Sequence, residues 1–217
     1  MVVRVLELFS GTGSVGDVLK MKYKDVEIIS LDIHPKYNPT HTTDILKWNY
    51  KQYETNYFDI IWASPPCTEY SVAKTIGVRN LDLADKIVKR TFVIIDYLKP
   101  KYWFVENPGE RGLLGKRPFM KRYEKYRNEC TYCHYGALFR KPTNIWTNVL
   151  DLNLRYCTKG DQCKSKRKYG KHPKIAQHSA SSTTYYDKDR GEGSGSVDNI
   201  YPIPPKLILH IVSKLIL

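Results

Sequence analysis

A cysteine sits just beyond an apolar run: Tyr57-Phe58-Asp59-Ile60-Ile61-Trp62-Ala63 passes through Ser64-Pro65-Pro66 to Cys67. The run reads as a buried strand that the two prolines must end. Cys67 is therefore delivered to the strand's carboxyl end, the edge at which open parallel sheets carry their chemistry. A thiol there becomes a carbon nucleophile once a positive environment favours the thiolate; enclosed in apolar surroundings it is only a small hydrophobe. A second run, Lys101-Tyr102-Trp103-Phe104-Val105, brings Glu106-Asn107-Pro108 to the same edge and sets Glu106 opposite Cys67. A thiol facing a carboxyl group suits addition to an electron-poor ring such as cytosine. Its C6 accepts a nucleophile when N3 is protonated or strongly hydrogen-bonded.

These residues need a scaffold, and the opening of the chain describes one. The β-rich run Val2-Val3-Arg4-Val5-Leu6-Glu7-Leu8 passes into Phe9-Ser10-Gly11-Thr12-Gly13-Ser14-Val15-Gly16, a glycine turn ahead of a helix. Such a turn lets backbone approach a ligand closely. A second strand, Val26-Glu27-Ile28-Ile29-Ser30-Leu31, ends in Asp32, about 20 residues past the turn, the usual distance for a carboxylate that accepts from ribose hydroxyls. An ordinary βαβ unit with an acidic strand end has the same pattern. Asp44 opens Asp44-Ile45-Leu46, where it either caps a helix or contacts a bound heterocycle. Leu83, Ile87, Thr91, Ile94, Ile95 and Leu98 recur at helical spacing up to Lys99-Pro100, which predicts a helix whose stripe is core.

The order Phe-Ser-Gly-x-Gly-Ser, an acidic residue after the second strand, Pro-Pro-Cys-x-x-x-Ser and then Glu-Asn-Pro resembles the DNA (cytosine-5) methyltransferases. The likeness is to the short forms of phages and large DNA viruses. It covers residues 2 to 108 and continues in Thr143-Asn144-Ile145-Trp146-Thr147-Asn148 and Ile203-Pro204-Pro205-Lys206-Leu207. The resemblance implies an α/β, Rossmann-like S-adenosylmethionine-dependent methyltransferase fold: a mostly parallel sheet with helices on both faces and a small basic target-recognition region. It implies that Phe9, Ser10, Gly11, Thr12 and Gly13 line the S-adenosylmethionine pocket, with Asp32 on the ribose, Ile33 and Asp44 on the adenine and Pro65 at the rim. Cys67 becomes the nucleophile, Glu106 the group facing N3, and Ser71 the support of the loop that closes over the target. Methylation of an exocyclic amine uses Asp/Asn/Ser-Pro-Pro before a stacking aromatic residue; Ser64-Pro65-Pro66 would suit that chemistry and Cys67 does not. Two features depart from the family: Pro108 stands where Val is typical, and the Gln-x-Arg-x-Arg strand has no clean match. Arg140 is the best candidate for its arginine, against a solvated basic loop.

Charge separates the two halves. Residues 116–174 hold 16 Lys and Arg against 4 Asp and Glu, a net of +12 out of +13 for the whole chain. Basic runs interleaved with aromatics, such as Lys121-Arg122-Tyr123-Glu124-Lys125-Tyr126-Arg127 and Lys164-Ser165-Lys166-Arg167-Lys168-Tyr169, suit a phosphate backbone and base stacking. The partner read from them is DNA, with RNA left open, and no obligate protein partner is evident. A relative that binds nucleic acid without turnover is the rival from another class. The expected division is a cofactor-binding and catalytic core at 1–108, a basic region at 109–200 and a terminal helix at 201–217 returning to the core. The small-residue stretches 179–184 and 191–196 read as mobile, and the short basic region predicts short or relaxed sequence specificity.

Five cysteines, an odd number, with no export signal suggest a reducing, intracellular compartment. A viral or phage enzyme acting in its host fits, and no apolar stretch approaches the length that spans a membrane. Cys130 and Cys133, as Cys-x-x-Cys in an expected strand, could join Cys157 and Cys163 around a structural zinc. Cys133, Cys157, Cys163 and His172 form the alternative ligand set, and free thiols are the remaining reading.

Overall fold

The computed structural model describes residues 2–71, 74–158, 160, 163–173 and 203–217. The stretches 179–184 and 191–196 lie outside the described residues. Seven strands make one sheet: β1 (Val3–Leu8), β2 (Val26–Asp32), β3 (His41–Thr42), β4 (Ile60–Ala63), β5 (Tyr102–Pro108), β6 (Arg127–Thr131) and β7 (Pro142–Thr147), in the order β3-β2-β1-β4-β5-β7-β6. The first five are mutually parallel, and β7 and β6 add antiparallel at the far edge.

The strands are apolar on both faces because both faces are covered. Val5, Ile60, Trp62 and Phe104 face α1 (Ser14–Lys22) and the terminal helix α4 (Pro205–Val212), whose Leu207, Ile208 and Ile211 are fully buried. Leu6, Leu8, Ile61 and Val105, one pleat over, face α2 (Leu81–Leu98) through Val88, Phe92 and Ile95. Near-continuous apolar runs are what a two-sided parallel sheet demands. The last helix begins on Pro205, whose missing N–H costs nothing at a first helical position, and it packs on α1.

Two expectations need correction. Thr91, Ile94, Ile95 and Leu98 of the expected α2 stripe are buried, while Leu83 is 46% exposed and Ile87 only half-buried; in the first half of the helix Ala84 and Val88 take the core-facing places. Also, β5 does not stop at Val105: Glu106, Asn107 and Pro108 remain in the sheet, paired with Ile145, Asn144 and Thr143 of β7. Past Val105, β4 has already left the sheet, and β7 alone holds β5 straight.

The strand order reverses between β1 and β4, so the crevice at their carboxyl ends is the topological switch point. Both the glycine turn after β1 and the cysteine loop after β4 open onto it.

Candidate active site

The turn after β1 is built around an acid. Asp32 Oδ2 accepts from the Gly11 N–H at 2.8 Å and its Oδ1 from the His34 N–H at 2.9 Å, so one buried carboxylate ties the turn to the end of β2. Gly13 caps α1 at φ 75°, a conformation open to glycine without strain, and Phe9 holds φ 59°, unusual for a bulky residue. Gly16 is required for space, since a Cβ there would stand 2.9 Å from Glu7 Oε2. Glu7 is itself buried beneath α1, its oxygens accepting from the Val15 and Gly16 N–H groups at 3.2 and 3.0 Å. Burial pushes its carboxyl up to about 7, against the pull of those two hydrogen bonds. Ile33 is exposed next to Asp32, and Thr43 donates its N–H to the Asp32 carbonyl. No helix follows Asp44 among the described residues: its Oδ1 accepts from the Leu46 N–H and closes a turn, so the helix-capping expectation does not hold.

Ser64, donating its N–H to the Leu8 carbonyl, is the last residue of the β4 segment tied to β1. Pro65 is buried, and its carbonyl accepts from Asn107 Nδ2 at 2.9 Å, which fastens the cysteine loop to the end of β5. The Cys67 carbonyl accepts from the Tyr70 and Ser71 N–H groups, closing a helical turn over the cleft. Tyr70, fully buried, anchors that turn: its hydroxyl donates to Asp85 Oδ1 at 2.9 Å, and Arg117 grips the same carboxylate with Nε and Nη2 at 2.8–3.0 Å. Downstream, Lys74 pairs with Glu69 at 2.6 Å, and Arg79 donates to the carbonyls of Glu69, Ser71 and Lys74. Ser71 is thus held through its backbone at the base of the loop.

Glu106 is buried, with its Oε1 accepting from the Tyr132 hydroxyl at 3.0 Å and Lys141 Nζ 3.8 Å away. The Lys141 ammonium also lies over the Tyr132 ring, 4.7 Å from its centroid. Burial pushes the Cys67 thiol up; Lys141 opposes that shift and Glu106 reinforces it. The thiol, the carboxyl and the ammonium therefore act on one another electrostatically across a single pocket wall.

The cation on that wall is not Arg140. Its guanidinium pairs with Glu110 at 2.7 Å and reaches the Cys157 carbonyl and the Tyr156 hydroxyl. Lys141 and Tyr132 are the side chains that meet Glu106; of the basic pair Arg140-Lys141 the sequence put the weight on Arg140, and no motif singled out Tyr132. The cysteines also separate. Cys130, on β6, is sealed in the main core, whereas Cys133 lies in the 3-10 turn Tyr132–Tyr135 and meets Cys157, Cys163 and His172. The strand ends between the two thiols, which splits Cys-x-x-Cys and leaves Cys130 outside the group. Among the described residues, no helix is long and apolar enough to cross a membrane.

Residues 3–118 match the model of the family described as C-5 cytosine-specific DNA methylase. A Frog virus 3 (isolate Goorha) protein named "Probable DNA (cytosine-5)-methyltransferase" is 29% identical over 175 residues, covering 74% of this chain and 78% of the relative. The solved structure of the Entamoeba histolytica methyltransferase EhMeth superposes with a TM-score of 0.51 at 18% identity, over 74% of this chain and 58% of that one. The shared architecture is a Rossmann-like fold, and this chain spans a little over half the length of that structure. The family model covers more than half of the sequence, and the chain belongs to the C-5 cytosine-specific DNA methylase family, whose reaction is methylation of cytosine at C5 in DNA.

Proposed function

We propose that this chain methylates C5 of cytosine in duplex DNA through a covalent bond between Cys67 and C6 of an extruded base. The observation that carries the proposal is the wall on which Cys67, Glu106 and Lys141 influence one another, locked by the Asn107–Pro65 hydrogen bond. The cofactor is S-adenosylmethionine, which supplies an electrophilic methyl group on a sulfonium. The residues present fit it. No atom lies within 4 Å of where a Cβ would stand on Gly11 or Gly13, so the turn borders open space. Asp32 is fixed by two N–H donors and keeps lone pairs for ribose hydroxyls. Phe9, Ser10, Thr12, Ile33, Asp44 and Pro65 complete the cofactor side. The second group is a structural Zn²⁺, for which Cys133, Cys157, Cys163 and His172 supply the donors.

A base stacked in a duplex hides C6, so the target must first swing out, with α3 (Lys164–Tyr169) and its neighbouring basic residues on the phosphates. The Cys67 thiolate then forms a bond to C6. The C5–C6 π electrons move towards N3, which accepts a hydrogen bond from the O–H of the protonated Glu106 carboxyl group, and C5 becomes nucleophilic enough to take the methyl group. A base removes the C5 proton, the double bond re-forms, and the C6–S bond breaks to return the thiolate.

The test incubates the chain with S-adenosylmethionine and mixed-sequence duplex DNA and quantifies methylated nucleosides by mass. 5-Methylcytosine from the wild type and none from Cys67→Ala is expected. Methylation retained by Cys67→Ala, or product only on RNA, overturns the proposal.

A further inference from the structure

We infer that Cys133, Cys157, Cys163 and His172 form a resident zinc centre, and that the ion holds the wall carrying Tyr132 and Lys141 against Glu106. The positioning half of this inference rests on the proposed function; the metal half does not.

The four donors come from four separate pieces of chain: the turn Tyr132–Tyr135, the extended segment after β7, the N-cap of α3 and the loop beyond Gly170. Their ligand atoms all lie within 4.8 Å of one another. Cys163 Sγ is 3.2 Å and Cys157 Sγ 3.8 Å from His172 Nε2. A tetrahedral Zn²⁺ with bonds of about 2.3 Å to sulfur and about 2.0 Å to nitrogen sets such edges at roughly 3.5 to 3.8 Å. The measured edges bracket that figure, and a small contraction of the group completes the tetrahedron.

Core packing does not account for the arrangement. The three thiols are buried as a cluster of their own, apart from both cores of the sheet, and none is in a disulfide. Three sulfurs and an imidazole, with no carboxylate in the group, are donors for zinc and poor ones for calcium or magnesium. The surrounding residues 149–173 have α3 alone as a regular helix or strand among the described residues. A segment of that size cannot bury a core of its own, which is where a metal staple gives the most stability.

The staple reaches the active site in one residue. Cys133 directly follows Tyr132, whose hydroxyl donates to Glu106 and whose N–H donates to the Lys141 carbonyl at 3.2 Å. Cys157 donates its N–H to Thr131 Oγ1 at 2.8 Å, and its carbonyl accepts from Arg140 Nε at 3.0 Å. Two of the four ligands therefore border the residues that flank Glu106. On the outer side, Cys163 and His172 bracket α3, so the same ion fixes the basic helix to this wall.

The full chain, purified from zinc-supplemented medium without chelator, should carry about one zinc per chain by plasma mass spectrometry. After stripping, Co²⁺ should restore a thiolate charge-transfer band and tetrahedral d–d absorption. His172→Ala should lose the metal, His172→Cys should keep it, and Cys130→Ser should leave it unchanged. With the metal stripped from folded wild type, kcat should fall by about tenfold, as expected when a buried hydrogen bond to a charged group slackens, with S-adenosylmethionine affinity unchanged. Should His172→Ala not fold, the stripped wild type and the Co²⁺ titration decide. A chain without zinc that takes up no Co²⁺ overturns the site, and a stripped, folded chain with undiminished kcat overturns the positioning role. Zinc content is read without turnover, so a chain that holds zinc yet methylates nothing sinks the proposed function and upholds the centre.

Discussion

Replacing Lys141 by methionine keeps the length of the side chain and removes the charge paired with Glu106. That ammonium stands 3.8 Å from Glu106 Oε1. Lys141 also opposes the upward push of burial on Cys67. Its loss therefore moves the thiol further up and shrinks the thiolate fraction at a given pH. The thiol lies above its ordinary range already, so the rate of adduct formation should climb with pH across the neutral and mildly alkaline range in both proteins. The Lys141→Met curve should run parallel to the wild type, displaced towards higher pH. Duplex DNA containing 5-fluorocytosine suits the assay, because fluorine cannot leave C5 as a proton does and the Cys67 adduct accumulates. Trapping rates are read by gel across the pH range, with Lys141→Arg expected to stay near the wild type. Superposed curves for Lys141→Met and wild type would refute the claim that this ammonium activates the nucleophile.

Glu7 predicts a pH-dependent stability. Its folded carboxyl titrates at about 7 against 4.5 when exposed, so its contribution is fully present below 4.5 and is lost as pH rises through 7, about 3 kcal/mol in all. Urea midpoints of wild type relative to Glu7→Gln should decline across that window; a constant difference means Glu7 is not the titrating group. Tyr70→Phe should cost about 1–2 kcal/mol and lower Tm by about 2–8 °C, since Asp85 keeps Arg117 and loses only the hydroxyl. No loss of Tm would show that the Tyr70–Asp85 bond adds nothing to the anchoring of the cysteine loop. The small basic region should confer short or relaxed specificity with steep salt dependence; methylation confined to one long strict site across a random-sequence library would contradict it.

The placement of the proposed catalytic pair was legible because its delivery is written in the chain. Each residue follows an apolar run whose length matches a buried strand, and Pro65-Pro66 ends the first, so no tertiary information is needed to place Cys67 and Glu106 at one edge. The glycine turn and Asp32 follow from the same logic one strand away. The cation was not legible, because Arg140 and Lys141 are adjacent and equally charged, and a one-residue change of register exchanges their faces. What decides between them is non-local: β7 begins at Pro142 in antiparallel register with β5, and the Tyr132 N–H extends that ladder to the Lys141 carbonyl. That register turns Lys141 in towards Glu106 and leaves Arg140 to Glu110 and Cys157. The cysteines pose the same problem. Two thiols three residues apart would serve one metal on a turn and point to opposite faces on a strand, and here the strand ends at Thr131, between them. Local pattern therefore located the chemistry carried by strand ends, whereas the groups that tune it depend on where an antiparallel edge stops, which the rest of the sheet decides.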